Sequence, residues 1–402
     1  MPSPMVWRGA IVGGALVAAA GIVHAGVAQR LARSDPAFAA RVAPHDARIA
    51  MAAARKLVED GHGALDPAIR GLAGAALARD LTQNAAIEFR AVDAEAAGNR
   101  ARAAELFELS DAISRRSLPT RLWLIQRSVD KGDVGGALRD FDVALRTSTA
   151  AAPTLFPVLA GATTDPGLIT PIARMLDRPS DWRVMFLNYA VAQGDAAGIA
   201  AVLLRLRNHA LVIGNGIDSA LIARLVDERR FVLAGRVRDA FSPAKGPRPL
   251  VADGGFADPS AVYPFGWTLN GRGDAGAERS VANGQPVLAY RAAPGRGGQV
   301  AAQLLLLGPG SYRLTTIAGS AVTADAIPHW SLFCGEQGGA ALARLDVPAR
   351  DGASGSVDFT ISPGCAGQWL TLTLEPGEAA DGQSGAVRSV SVRPVVRAAT
   401  GP

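Results

Sequence analysis

The sequence predicts a multidomain chain, α then β: an N-terminal transmembrane helix, an α-solenoid of helical repeats, and a C-terminal β-sandwich. Three observations carry this. Gly98-Asn99, Ala103 and Phe107 recur 34 positions later as Gly132-Asp133, Ala137 and Phe141. At Ser242-Pro243-Ala244-Lys245-Gly246-Pro247-Arg248-Pro249 the helical period stops in a proline-rich run. Beyond it, short alternating apolar runs separated by Gly-rich turns recur roughly every 10 to 20 residues, which is the pattern of a two-sheet fold. The expected segments are 1–43 as anchor or signal, 44–241 as helical repeats, 242–250 as linker and 251–396 as sandwich.

At 402 residues the chain is too long for a single core. Apolar content of 49% beside 19% charge excludes wholesale disorder. A net charge of +5 is mild at this length, and Arg is spread among Asp and Glu, so nucleic acid is not an expected partner.

From Gly9 to Gln29 there is no charged side chain, and Arg8 and Arg30 bound the stretch. That leaves about 20 apolar or small residues, enough to span a bilayer. A cleaved signal peptide is the competing reading, because Val23-His24-Ala25 presents small or aliphatic residues where a signal peptidase inspects the chain. Either reading exports the remainder. Arg30, Arg33, Arg41 and Arg48 follow the segment and only Arg8 precedes it, a bias toward the opposite topology. The cysteines weigh the other way. Cys334 and Cys365 are the only two and lie in strand-like segments, so a disulfide in an oxidising compartment is expected, with two unrelated thiols as the alternative. The resulting expectation is an inner-membrane, single-pass protein with its soluble domains in the periplasm.

Between Pro44 and Phe241 the pattern is Ala-rich and helical, broken by Gly-Asn or Gly-Asp turns at 98, 132 and 194. Asp66-Pro67, Asp165-Pro166 and Thr170-Pro171 each put a capping residue before a proline suited to a first helical turn. Ala103 with Phe107, and Ala137 with Phe141, resemble the second-helix signature of the tetratricopeptide repeat, whose period is 34. The resemblance covers roughly residues 50 to 240 and implies stacked helix pairs whose groove takes a protein partner. The first-helix aromatic positions are unfilled, and Ile199 with Leu203 replace Ala and Phe in the third copy. An Ala-rich bundle with a coincidental spacing is the alternative. Trp123, in the apolar run SLPTRLWLIQR, is the candidate protein-binding aromatic, against an inward, packed position.

Seven runs read as strands: Val287 to Tyr290, Val300 to Leu307, Tyr312 to Ile317, Trp330 to Cys334, Val357 to Ile361, Trp369 to Leu374 and Val387 to Val392. Asp253-Gly254-Gly255-Phe256, Pro264-Phe265-Gly266-Trp267 and Leu307-Gly308-Pro309-Gly310-Ser311-Tyr312 resemble the opening and the proline-glycine turn of carbohydrate-binding-module-like jelly rolls, over about 145 residues. The resemblance implies a possible polysaccharide partner and makes Phe256 and Trp267 packing residues. Gly255 and Ala257 stand where that family has acidic side chains, which counts against bound calcium.

In Trp369-Leu370-Thr371-Leu372-Thr373-Leu374 the leucines share one face, so Trp369, Thr371 and Thr373 share the other. These three are the candidate carbohydrate contacts: an outward indole can stack on a sugar ring and the threonines can reach its hydroxyls, unless a loop or helix covers them. Trp330, in step with Leu332 and Cys334, is assigned to the core.

No catalytic residue, metal ligand or cofactor is expected. The five histidines show no metal spacing, Ser354 and Ser384 lack a nucleophile elbow, and Gly214-Asn215-Gly216 lacks the third glycine of a nucleotide loop. Glu375, Glu378 and Asp381 cluster after a strand, but a Gly-rich solvated loop explains them. The expected function is a non-enzymatic, membrane-anchored periplasmic scaffold accessory to cell-surface polysaccharide assembly or export. Its rivals are a purely protein-binding adaptor with a structural sandwich and, with least support, a glycan-active enzyme.

Overall fold

The computed structural model describes residues 26–395 apart from 29, 33, 62–65, 245, 272 and 322–326. A helical region is followed by an antiparallel β-sandwich. The Gly9–Gln29 stretch expected to anchor the chain lies almost wholly outside the described residues, and among the described residues no helix is long and apolar enough to cross a membrane. The element type changes from helix to strand after Phe241. By contacts, however, the chain divides into two compact units, 1–156 with 180–182, and 157–179 with 183–402. The later helices therefore pack in one unit with the sandwich.

In the first unit, helices Pro36–Val42, Ala47–Glu59 and Pro67–Leu77 precede two helical hairpins, Asn84–Ala96 with Arg100–Ile113 and Leu118–Asp130 with Val134–Thr147. Every boundary of the second hairpin lies 34 residues after its counterpart in the first. The turn chemistry repeats with it. Gly98 and Gly132 take left-handed φ values of 77° and 71°, open to a residue without Cβ at little cost. Asn99 and Asp133 then cap the next helix, accepting from the Arg102 and Gly136 backbone N–H. Ala103, Phe107, Ala137 and Phe141 are all buried. The third Gly-Asp differs: Asp195 caps helix Ala196–Leu203 over buried Ile199 and Leu203, but Gly194 is not left-handed. Arg121 is buried between the carboxylates of Asp111 and Asp140.

Asp66 and Asp165 start helices as expected. Thr170-Pro171 does not; Pro171 lies inside helix Pro166–Leu176, which Asp165-Pro166 has already nucleated five residues earlier.

In the second unit, helices Ile217–Asp227 and Phe231–Phe241 lead, among the described residues, into ten strands: β1 Thr268–Leu269, β2 Ala275–Ala282, β3 Gln285–Ala292, β4 Gly298–Leu305, β5 Gly310–Ala318, β6 His329–Cys334, β7 Ala341–Asp346, β8 Ser354–Ile361, β9 Gln368–Leu374 and β10 Gln383–Pro394. They form two five-stranded antiparallel sheets, ordered β1-β4-β9-β6-β7 and β2-β3-β10-β5-β8. Consecutive strands change sheet at every step except β2 to β3 and β6 to β7. All seven strand runs read from the sequence are present; β1, β2 and β7 are additional, and each is a sheet edge.

The core between the sheets takes the inward residues of both, among them Leu288, Leu314, Leu332, Leu370, Leu372, Leu374, Val390 and Val392. Trp330 lies at its centre, 5.5 Å between ring centroids from Trp267, which in turn meets Phe256. Both indoles keep a partner: Trp330 Nε1–H donates to Thr316 Oγ1 at 3.1 Å and Trp267 Nε1–H to the Asp253 carbonyl at 3.0 Å. Phe256 and Trp267 are thus packing residues.

Candidate functional site

Alternation along β9 holds, since Leu370, Leu372 and Leu374 point into the core and Trp369, Thr371 and Thr373 do not belong to it. Accessibility is another matter. Trp369 is only 8% exposed and Thr371 fully buried, while Thr373 is half-buried. Trp369 pairs across the sheet with buried Leu304 and half-buried Phe333, and the Thr371 hydroxyl donates to the Ser331 carbonyl at 3.4 Å. Trp369 and Thr371 are therefore corrected from open sugar contacts to covered residues. Helix Phe231–Phe241 packs close by: Phe231 lies against Gly367, Gly235 against Leu306, and the Arg238 guanidinium 4.3 Å over the Phe265 ring.

Cys334 and Cys365 form the expected disulfide, with Cα atoms 5.6 Å apart. Buried Gln368 secures the same loop, donating to the Cys365 carbonyl at 2.7 Å and accepting from the Leu307 N–H at 2.8 Å. Trp123 stacks on Phe107 at 4.6 Å, its indole N–H donates to Glu95, and the Arg127 guanidinium sits over its ring. It is half-buried against a small apolar cluster.

At the other end of sheet β1-β4-β9-β6-β7, buried His329 faces Glu375 at 3.6 Å. Burial, followed by the nearby Arg344 charge, pushes its pKa below the usual imidazole value, against the upward pull of Glu375 and Asp346. Glu375, from the acidic cluster read in the sequence, also lies 3.5 Å from Arg344. Among the described residues no group of three metal-ligating side chains converges.

An open groove with polar side chains among apolar ones lies on the outer face of the second sheet. Along β5 and β10, Leu314, Thr316, Val390 and Val392 are buried, so Arg313, Thr315, Ile317, Ser389, Ser391 and Arg393 face away from the core. They line a groove of about 750 Å³ whose side is built by Pro249, Val251, Gly254 and Gly255. That segment is fixed to the sheet, because the Val390 N–H donates to the Gly254 carbonyl at 2.8 Å. The register sets the residues in cross-strand rows. Ser391 is opposite Thr315, which is opposite Ser356; Arg393 is opposite Arg313, which is opposite Asp358. Arg313 binds Asp358 through two hydrogen bonds of 2.6 and 2.8 Å, and these hold the Asp358 carboxyl below its ordinary range. Two arginines and three hydroxyls line the groove with no carboxylate among its lining residues. Alternation in Tyr312–Ile317 and in Val387–Val392 could have located this face in the sequence.

No protein-family description matches the chain, and no curated protein matches it significantly. Solved structures similar to it include the enzymatically active domain of bacteriophage CBA120 tailspike protein 4, at 16% identity and a TM-score of 0.27 over 37% of this chain and 21% of that one. The CBM4 structure is similar at 16% identity and a TM-score of 0.27, over 36% of this chain and 99% of its own. TmCBM61, solved in complex with β-1,4-galactotriose, is similar at 13% identity and a TM-score of 0.26, over 37% of this chain and 100% of its own. The chain spans about a fifth of the tailspike domain's length. At these scores the likeness carries no argument about function.

Proposed function

We propose that this chain is a non-enzymatic scaffold, exported and membrane-anchored, whose sandwich binds a glycan and whose helical hairpins bind protein. The observation that carries the glycan reading is the groove on β5 and β10: an open sheet face on which three hydroxyls and two guanidinium groups stand among apolar residues such as Ile317 and Val395, a mixture that offers a saccharide both hydrogen-bond partners and surface for its C–H faces. β5 is paired on both sides along the groove; β10 pairs there with β5, its pairing with β3 ends at Val387, and beyond that point the Val390 N–H is taken by the Gly254 carbonyl. The jelly-roll-like opening at Asp253–Phe256 agrees with this reading. In this reading the contacts move from Trp369, Thr371 and Thr373 to the opposite sheet.

The tetratricopeptide-like character rests on the two hairpins with a 34-residue step, and Leu109 and Ile113, one turn apart and both exposed, give them an apolar face toward a partner. Export and an inner-membrane anchor facing the periplasm rest on the apolar stretch at 9–29 and on the disulfide, a bond kept in oxidising compartments. A role in cell-surface polysaccharide assembly or export follows from joining these parts. The test is binding of the whole chain to a panel of neutral and acidic bacterial polysaccharides, beside Thr315→Val/Ser391→Ala. Binding by the parent that weakens at least tenfold in the variant supports the reading. Parent protein that binds no glycan leaves the purely protein-binding adaptor, for which the exposed Leu109 and Ile113 speak.

A further inference from the structure

We infer that the groove on β5 and β10 selects a carboxylate-bearing polysaccharide, with Arg393 as its principal charge contact; this rests on the glycan reading above. Arg393 and Arg313 are direct cross-strand partners, and such pairs hold their Cβ atoms about 4.5 to 5.5 Å apart, where like charges repel. Arg313 is balanced from its other side by the bidentate Asp358. Arg393 has no such partner among the described residues, is exposed, and lies at the groove. The row therefore reads cation, cation, anion, with one guanidinium left over.

An anion beside Arg393 removes that imbalance. A guanidinium presents a planar fork that takes a carboxylate through two parallel hydrogen bonds, more specific than attraction to a point charge. The next row inward, Ser391, Thr315 and Ser356, offers only hydroxyls. Charge beside hydroxyl at the spacing of adjacent rows is the pattern of a uronic acid, which carries one carboxylate and several hydroxyls on one ring. The groove volume falls within the range of small-ligand clefts.

Titration calorimetry of the whole chain with oligogalacturonate, with its fully methyl-esterified counterpart and with polyglutamate tests this, in parallel with Arg393→Gln and Arg393→Lys. The acid form should bind at least tenfold more tightly than the ester, and its affinity should fall as salt is raised. Arg393→Gln should lose that preference and Arg393→Lys regain part of it. Because Arg393 faces a like charge, Arg393→Gln should melt no lower than the parent, so a loss of binding is not a loss of fold. Equal affinity for acid and ester overturns the charge inference and leaves glycan binding in place. Equal affinity for polyglutamate overturns selection of a saccharide. Absence of binding to these ligands and to every glycan of the panel overturns both readings.

Discussion

Reducing the Cys334–Cys365 disulfide should destabilise the unit that contains it by about 3.7 kcal/mol, without altering its native structure. The bridge joins residues 31 apart. In the chain-entropy treatment, a closed loop of that size removes about 12 cal/mol/K from the unfolded ensemble, which is about 3.7 kcal/mol at room temperature. The native loop has other restraints: Cys334 pairs with Gln368 across β6 and β9, and the Gln368 side chain binds Cys365 and Leu307. The cost therefore falls on the unfolded chain. For a cooperative unit of this size each kcal/mol shifts the melting temperature by about 2 to 4 °C, so reduction should lower it by roughly 7 to 15 °C. The assay is thermal unfolding of one preparation, oxidised and then reduced with a phosphine, with alkylation to confirm the thiols. Cys334→Ser should match the reduced protein, because Cys334 is exposed and its thiol has no core to fill. A shift below about 3 °C would refute the loop-entropy reasoning, as would hydrogen exchange showing β9 already loosened in the reduced native state.

Four further outcomes follow from burial and charge. Phe141→Ala should cost about 3 to 5 kcal/mol by urea unfolding, since Phe141 is buried at the position equivalent to Phe107. Trp369→Ala should cost a similar amount, about 3 to 5 kcal/mol, and a variant that melts with the parent would show that the indole is not packed. Gly367→Ala should lose about 1 to 3 kcal/mol by urea unfolding, because a Cβ there would lie 2.5 Å from the Phe231 ring; an unchanged midpoint would show that the ring can move aside at no cost. The folded state holds the His329 pKa below its unfolded value, so its contribution is present above about pH 6.5 and is lost as pH falls through the folded value. His329→Asn should accordingly flatten the stability profile on the acid side of about pH 6.5, measured by urea midpoints in one buffer series; an unchanged slope would assign that dependence to other groups.

The strands found from sequence are the six interior ones and one edge, β8, whose run SGSVDFTI keeps Val357, Phe359 and Ile361 in alternation. β3, β4, β5, β6, β9 and β10 are interior to their sheets, where both flanks are protein and apolar residues dominate. The three missed strands are edges: β1 has two residues, β2 reads AGAERSVA and β7 reads ALARLD. An edge needs fewer apolar side chains and carries charge to discourage further pairing, which dilutes the alternation. The candidate site was less legible than the fold. Its two arginines stand 80 positions apart and meet only because β10 runs antiparallel to β5 in one particular register.

By itself the sequence determined the change from helix to strand, the 34-residue step of the two hairpins, the inward leucines of β9 and the pair of cysteines that bridge. Each of these is local, or rests on a pattern along the chain, where backbone geometry dictates which side chains share a face. Only the tertiary structure decided which faces stay open. Alternation sent Trp369 away from the leucine core but could not say that the far face is covered, because burial depends on elements distant in sequence. The same physics placed Arg393 against Arg313 and left its charge unbalanced, a consequence of strand register that no run of neighbouring residues contains.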